Sequence, residues 1–473
     1  MELQSMTINE NKKDNQLEVF DGELLHPALD IKDGILVIGF RYRSKPQEEK
    51  EIFIVASDGN IQITNSEMFK RNGKNYYFER RNRKLIRIEE KWGITQLQKF
   101  LNDYAELRVS VSPERIFEEV LVLTKRYVEL EQEVDYCLLT AWIFGTYFFP
   151  AFYAYPFLHI KAPKRSGKSQ CLNFLTQLCF NAVKARPSLA ALSDTVDALR
   201  GTYLIDQADA LERRGNEELL DLLSDSYKKG GGKRRVVVFD KKKSRETVEF
   251  ETYSPKAFAS IRELPEDLRD RCLIVPLIRS QRNFPDPDDS NENWREIRGK
   301  IYTLLATSYD FIGSNYSIKK IEYRQSKEIL GRNLELWLPF EVILEYVGMQ
   351  DKIKEAKSRF LSQYGFSEYE PSELEEEVIK AILQQLQEQI ETILTPKEIT
   401  ELISPDIFSA SDAPKQRAAK VGWAIKKFNL ASEKKIRTKD GMRYLFKKGR
   451  VESVYQSYFK TTEEHTSPAP MKN

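Results

Sequence analysis

The chain has 473 residues, 41% hydrophobic and 11% aromatic, with 74 Lys or Arg against 72 Asp or Glu for a net charge of +2. That length exceeds one ordinary core and predicts about three domains, and the composition excludes a chain disordered throughout. Four cysteines (Cys137, Cys171, Cys179, Cys272) without paired spacing and three histidines (His26, His159, His465) leave little material for a cysteine or histidine metal centre or a histidine-based triad. The cysteines read as buried thiols of a reducing compartment, the cytoplasm. The polar N-terminus carries no secretory signal. Residues 136–160 lack charge over a length that would suit a membrane span, but Pro150 and Pro156 interrupt them. A buried helix from Tyr136 to Phe149 and then a buried strand are expected, with no membrane partner.

Residues 1–105 read as a small β-rich N-terminal domain. Short β-prone runs alternate with Asp33-Gly34, Asp58-Gly59 and Asn72-Gly73, the dipeptides of tight hairpins. Basic residues, among them Arg41, Arg43, Lys70, Arg71 and Lys74, interleave with Tyr42, Tyr76, Tyr77 and Phe78. Such a pattern suits either a nucleic-acid surface or a solvated sheet face. A helical lead-in follows, where Ser112-Pro113-Glu114 marks a helix start.

Ala162 to Ser169 reads Ala-Pro-Lys-Arg-Ser-Gly-Lys-Ser between an apolar strand, Tyr155 to Ile160, and a helix, Gln170 to Phe180. Strand, tight loop and helix in that order cradle phosphates with backbone N–H groups and the positive helix end. Pro163, Lys164, Arg165, Ser166, Gly167, Lys168, Ser169 and Gln170 are therefore expected to bind ATP, Lys168 reaching the β- and γ-phosphates and Ser169 ligating Mg²⁺. The motif ordinarily begins with Gly; Ala162 is tolerable there only if φ stays negative. Tyr203 to Asp206 is an apolar strand ending in a carboxylate, so Asp206 is the second expected Mg²⁺ ligand. Gln207, next in line, stands where a proton-accepting Glu is usual and cannot take a proton. Three readings stay open: Asp209 substitutes for it, hydrolysis is weak, or Gln207 is an engineered replacement of Glu that stops hydrolysis.

Residues 225–231, 250–259 and 264–271 resemble the AAA+ ATPase module of MCM-like replicative helicases from phages, plasmids and genomic islands. The resemblance covers about 155–347. It implies a hexameric ring translocating on single-stranded DNA, with each ATP site shared between neighbours. Under it Arg271, with Arg269 in reserve, is similar to the arginine finger, Ser260 to the polar sensor residue and Arg332 to the second sensor arginine on a helical lid. Between them, Arg235 to Phe239 and Thr247 to Thr252 form two β-prone arms that put Lys241, Lys242 and Lys243, with Arg245, at a hairpin tip. In a ring such tips would grip backbone phosphates. Little sequence separates residues 183–186 from Asp206, so one hairpin per subunit is expected.

The C-terminal portion shows winged-helix order. Lys420 and Lys427 lie on its presumed recognition helix and Arg437 on its wing, a candidate surface for duplex DNA. The fold class expected is an α/β AAA+ P-loop core with a helical lid, preceded by the β-rich domain and followed by the winged helix. Its boundaries are 1–105, 106–292 (ATPase core with helical lead-in), 293–350 (lid), 351–372 (linker), 373–455 (winged helix) and 456–473 (disordered tail). The expected function is an ATP-dependent DNA helicase of a mobile element. The alternatives are an ATP-switched DNA-binding initiator or helicase loader with little hydrolysis, and an ATPase subunit of a defence or transposition complex.

Overall fold

Asp33-Gly34, Asp58-Gly59 and Asn72-Gly73 all adopt positive φ at both residues, between 47° and 80°. These are the left-handed turns that the strand twist requires, so the N-terminal hairpins form where the dipeptides place them. A computed structural model describes residues 6–7, 18–19, 22–79, 85–163, 165–239, 245–280, 282–287, 292–326, 328–364, 372–387, 389–409, 412–428, 430–438 and 441–459. Of the expected tail, 456–473, residues 456–459 belong to a helix and the rest lie outside the described residues. The chain divides into two units, 1–364 and 365–473.

The first unit begins with β1 (Met6–Thr7) paired to β2 (Glu18–Val19). Next come β3 (Glu23–Leu25), β4 (Leu29–Lys32), β5 (Ile35–Lys45), β6 (Glu48–Ser57), β7 (Asn60–Thr64), β8 (Met68–Arg71) and β9 (Lys74–Phe78). They form sheets ordered β4-β5-β6-β7 and β3-β9-β8. Residues 85–88 contribute an isolated bridge from Arg87 to Arg41. Several basic residues of these sheets are paired with acids: Arg41 with Glu49 at 3.0 Å, Arg71 with Asp58 at 3.1 Å and Lys74 with Glu23 at 2.8 Å. That pairing fits the solvated-face alternative.

Helices α1 (Ile94–Ala105), α2 (Pro113–Tyr127) and α3 (Glu133–Phe148) lead into the core. As expected, Ser112 caps α2: its Oγ accepts from the Arg115 N–H at 3.2 Å. The uncharged stretch becomes α3, buried along nearly all its length. Among the described residues no helix is long and apolar enough to cross a membrane.

Strand and helix then alternate: β10 (Phe157–Lys161), α4 (Lys168–Leu178), β11 (Val183–Lys184), α5 (Leu189–Leu199), β12 (Tyr203–Ile205), α6 (Glu217–Asp225), the ribbon β13 (Lys233–Phe239) with β14 (Arg245–Glu251), β15 (Lys256–Ser260), α7 (Glu266–Arg269) and β16 (Cys272–Pro276). Five of these strands make one parallel sheet, ordered β11-β12-β15-β10-β16. β15 separates β10 from β12, so its last residue, Ser260, is delivered between the phosphate loop and the acid. Every strand end points the same way, which gathers the following loops at one edge.

Helices α8 (Trp294–Ser326), α9 (Gly331–Tyr346) and α10 (Gln350–Tyr364) complete the unit. Most of the stretch expected as a linker is therefore helical. Ala356 and Phe360 are fully buried, and Arg359 makes a two-pronged ion pair with Asp135 of α3, which is 1% exposed. One continuous core runs from the N-terminal strands (Leu36, Ile54) through α3 and the parallel sheet to α9.

The second unit orders α11 (Glu373–Gln385), β17 (Glu391–Leu394), α12 (Pro396–Leu402), α13 (Pro414–Lys427), β18 (Ala431–Thr438), β19 (Gly441–Lys447) and α14 (Lys448–Phe459). Its antiparallel sheet runs β17-β19-β18. Reciprocal side-chain caps start α11 (Ser372 with Glu375) and α12 (Thr395 with Glu398). Ile382, Ile399, Val421, Ile425 and Phe446 fill a separate core.

Candidate nucleotide site

At the carboxyl edge of the parallel sheet, β10 runs into a loop that turns at Arg165 (φ 64°) and Gly167 (φ 81°) before α4 begins at Lys168. Ala162 needs no positive φ and is buried, its N–H donating to the Ser260 carbonyl at 3.2 Å. The missing glycine thus costs nothing here, and the strained residue is Arg165 instead. Lys168 folds back, its Nζ donating to the carbonyls of Ala162 and Pro163, each at 2.7 Å. Burial holds its ammonium below the ordinary lysine value against the pull of Asp209 and Asp206. Pro163, Arg165 and Gly167 are exposed; Lys164 lies outside the described residues.

The two expected Mg²⁺ ligands meet. Ser169 Oγ donates to Asp206 Oδ2 at 3.1 Å, and Lys184 Nζ stands 4.0 Å from the same oxygen. A hydroxyl beside a carboxylate fits Mg²⁺, which takes few protein ligands and completes its shell with phosphate oxygens and water. Among the described residues no cluster of three His, Cys, Asp or Glu could hold a metal without such help.

Gln207 follows in a left-handed conformation, φ 57°. Asp209 is held in place: Oδ1 accepts from the Arg262 N–H at 2.8 Å, and both oxygens accept from the Ile261 N–H at 3.1 Å. Burial opposes its charge, but those N–H groups and Lys168 outweigh burial and keep the carboxyl below the usual carboxylate range. A carboxylate so satisfied is a poor proton acceptor and a good strut for the loop after β15. Ser260 is fully buried, its Oγ donating to the Arg262 carbonyl at 2.6 Å and lying 2.7 Å from His159 Nε2.

Beside the loop lies a cavity of about 210 Å³ whose walls include Tyr127, Ser166, Gln170, Ile278, Arg282 and Phe284. The Tyr127 hydroxyl and Ser166 Oγ are buried there without a hydrogen-bond partner. Arg282 is pinned over the Phe284 ring at 4.9 Å and by Glu129 at 2.6 Å. Gln170 Nε2 donates to the Pro285 carbonyl at 3.1 Å. A mostly polar cavity that brings the Tyr127 and Phe284 rings beside unused polar groups, next to a phosphate cradle, is a candidate for a nucleobase. Sequence reading missed Tyr127, Arg282 and Phe284, because nothing local marks three positions that only the tertiary fold joins.

Arg271 and Arg332 lie elsewhere. The Arg271 carbonyl accepts from the Phe157 N–H at 2.8 Å, which places it at the amino edge of the sheet. Its guanidinium, 8% exposed, covers the Tyr227 ring at 5.3 Å and donates to the Asp267 carbonyl. Arg332 Nη1 stands 3.7 Å from Asp270 Oδ2, and Tyr227 donates to Glu335 at 3.0 Å. The two arginines therefore share one edge, opposite the phosphate loop.

The basic hairpin has its stem in β13 and β14, closed by Phe239 opposite Arg245, with Lys233 and Arg235 both paired to Glu249. Arg245 is exposed. Lys241, Lys242 and Lys243 lie outside the described residues. In the second unit Lys420 is exposed and ion-paired with Asp412 at 2.6 Å. Lys427 ends α13 and Arg437 sits in β18, their side chains outside the description.

No protein-family profile and no curated protein sequence matches the chain. Solved structures similar to it at low identity include the following three. "SCCmec type IV Cch - active helicase" has a TM-score of 0.35 at 9% identity over 96% of this chain and 99% of that one. A full-length MCM homolog from Methanopyrus kandleri has a TM-score of 0.34 at 10% identity over 70% and 78%. The A form apo structure of the NrS-1 C-terminal region has a TM-score of 0.32 at 10% identity over 84% and 94%.

Proposed function

We propose that the chain is an ATP-dependent DNA helicase of the AAA+ class. It works as a ring, a hexamer by the sequence resemblance, on single-stranded DNA during replication of a mobile element. One observation carries the reading: the phosphate loop with Ser169 and Asp206 occupies one edge of the parallel sheet, and Arg271 with Arg332 the other. A five-residue strand separates the edges by about 16 Å, so these arginines cannot reach their own subunit's phosphates. A neighbour's can, and a ring supplies one neighbour to each site.

In this reading Lys168 leaves the Ala162 and Pro163 carbonyls for the β- and γ-phosphates. Ser169 and Asp206 hold Mg²⁺, which neutralises phosphate charge when bound. The Tyr127–Phe284 cavity takes the base. Asp209 and Ser260 position the loop after β15. Arg271 must leave Tyr227 to act on a neighbour's site, and the Lys241–Lys243 tip grips the strand. The second unit is a winged helix.

Gln207 beside the pinned Asp209 favours a second reading, an ATP-switched initiator or loader with little hydrolysis, because neither residue supplies a ready base. ATP turnover with and without single-stranded DNA, compared with Gln207→Glu, separates the two. DNA-stimulated turnover in either chain supports the motor; nucleotide and DNA binding with background turnover in both leaves the switch.

A further inference from the structure

Of the five tryptophans, Trp92, Trp142 and Trp337 are fully buried and Trp294 is 9% exposed, but Trp423 is 58% exposed. It lies on α13, whose buried face is Val421, Ala424 and Ile425. The opposite face is solvent-exposed at Lys415, Gln416, Ala419, Lys420, Trp423 and Lys426, with Lys420 ion-paired to Asp412 just before the helix. At helical spacing Lys420 and Lys426 stand one turn to either side of the indole. Residues 414–447 carry eleven Lys or Arg against two acids, Glu433 and Asp440, and α13 has no acid at all.

We infer that Trp423 is a stacking platform for an unpaired nucleobase of single-stranded DNA, with the α13 lysines holding the flanking phosphates. The charge excludes an acid-poor or cationic partner and selects a polyanion. The indole then selects among polyanions, because a flat aromatic between cations is how single strands are held without reading sequence. A major-groove reader would carry hydrogen-bonding side chains at this central position, where the helix presents a ring too wide and too apolar for base edges. The inference deepens the DNA reading of the second unit and rests on it. Sequence reading assigned DNA contact to Lys420, Lys427 and Arg437 and gave Trp423 no part.

The test uses the full chain, with Lys241, Lys242 and Lys243 replaced by Ala so that the hairpin does not mask the second unit. Tryptophan emission is titrated with a dT oligonucleotide, an abasic strand of equal length and a duplex, while anisotropy of a labelled strand reports binding independently. We expect dT to quench the emission, the abasic strand to bind without quenching, and Trp423→Phe to abolish the quenching while still binding. Trp423→Ala should bind dT roughly 5- to 100-fold more weakly. Equal quenching by the abasic strand, unchanged affinity of Trp423→Ala with its circular dichroism intact, or tighter binding of duplex than of dT would each overturn the inference. Anisotropy showing no DNA binding at all, in this chain and in the unsubstituted one, would instead remove the DNA reading on which it rests.

Discussion

Ser169 and Asp206, 37 positions apart, meet at the carboxyl edge of the parallel sheet through a hydrogen bond of 3.1 Å. A hydroxyl and a carboxylate so close can serve one cation together, the hydroxyl through its oxygen lone pair. Ser169→Ala and Asp206→Asn should therefore each lower Mg²⁺-dependent ATP turnover by about 10²- to 10³-fold, the scale seen when one electrostatic stabiliser is lost. Nucleotide binding measured in EDTA should be unaffected, because Lys168 and the loop remain. An Asp206→Asn chain that turns over ATP normally with Mg²⁺ would remove the metal site from this position.

Gln207 and Asp209 stand in different roles. Asp209 spends its oxygens on the Ile261 and Arg262 N–H groups, so its loss should be felt as loop disorder rather than as a missing base. Asp209→Ala is expected to lower stability by only about 0.5–1.5 kcal/mol, the net worth of hydrogen bonds whose exposed donors then turn to water. Gln207→Glu is expected to raise ATP turnover by at least about 100-fold, the lower bound for a positioned base. Should Asp209→Asn abolish turnover while the melting temperature holds, Asp209 is the base after all.

Arg271 lies over its own Tyr227 on the edge away from its own phosphate loop. If neighbours share sites, Arg271→Ala and Lys168→Ala subunits are each inactive alone but complementary when mixed, since some interfaces then pair an intact loop with an intact arginine. Each variant alone should lose about 10³-fold in turnover, and an equimolar mixture should recover a measurable fraction. A mixture no more active than its components, in chains shown to co-assemble, would place catalysis within one subunit.

The parts that were legible in the sequence are those whose signal is local. The phosphate loop, the acid closing β12 and the three glycine turns each sit within a few residues of the feature that betrays them. Helix α10 was not legible, because its buried positions Ala356 and Phe360 are sparse among charges and its anchor, Asp135, is 224 residues from Arg359. The cavity beside the loop was missed for the same reason: Tyr127 closes α2 and Phe284 follows β16. The resemblance singles out Arg271, but its packing on Tyr227 needed the fold.

His159 offers a test of the loop geometry through pH. Ser260 Oγ has one proton, donated to the Arg262 carbonyl, so the short contact with His159 Nε2 requires that nitrogen to carry the imidazole proton. Nδ1 is buried with no partner, and a second proton there would be an unsatisfied buried donor. Burial accordingly pushes the imidazole down to about 4, with Glu263 pulling upward and Lys161 and Arg269 pushing with it. The folded value lies below the ordinary one, so the unfolded chain binds more protons between pH 4 and 6.5. This residue's contribution is intact above about pH 6.5 and drains away as pH falls towards 4, at up to about 1.4 kcal/mol per pH unit. Urea denaturation of the unsubstituted chain and of His159→Gln at pH 7 and pH 4.5 isolates the effect, because the carboxylates titrate alike in both. The gap between the two chains should shift by roughly 2 kcal/mol in favour of the variant at the lower pH; a gap that does not move would mean that His159 takes up its second proton as readily in the folded chain as in the unfolded one, with its Nδ1 proton satisfied.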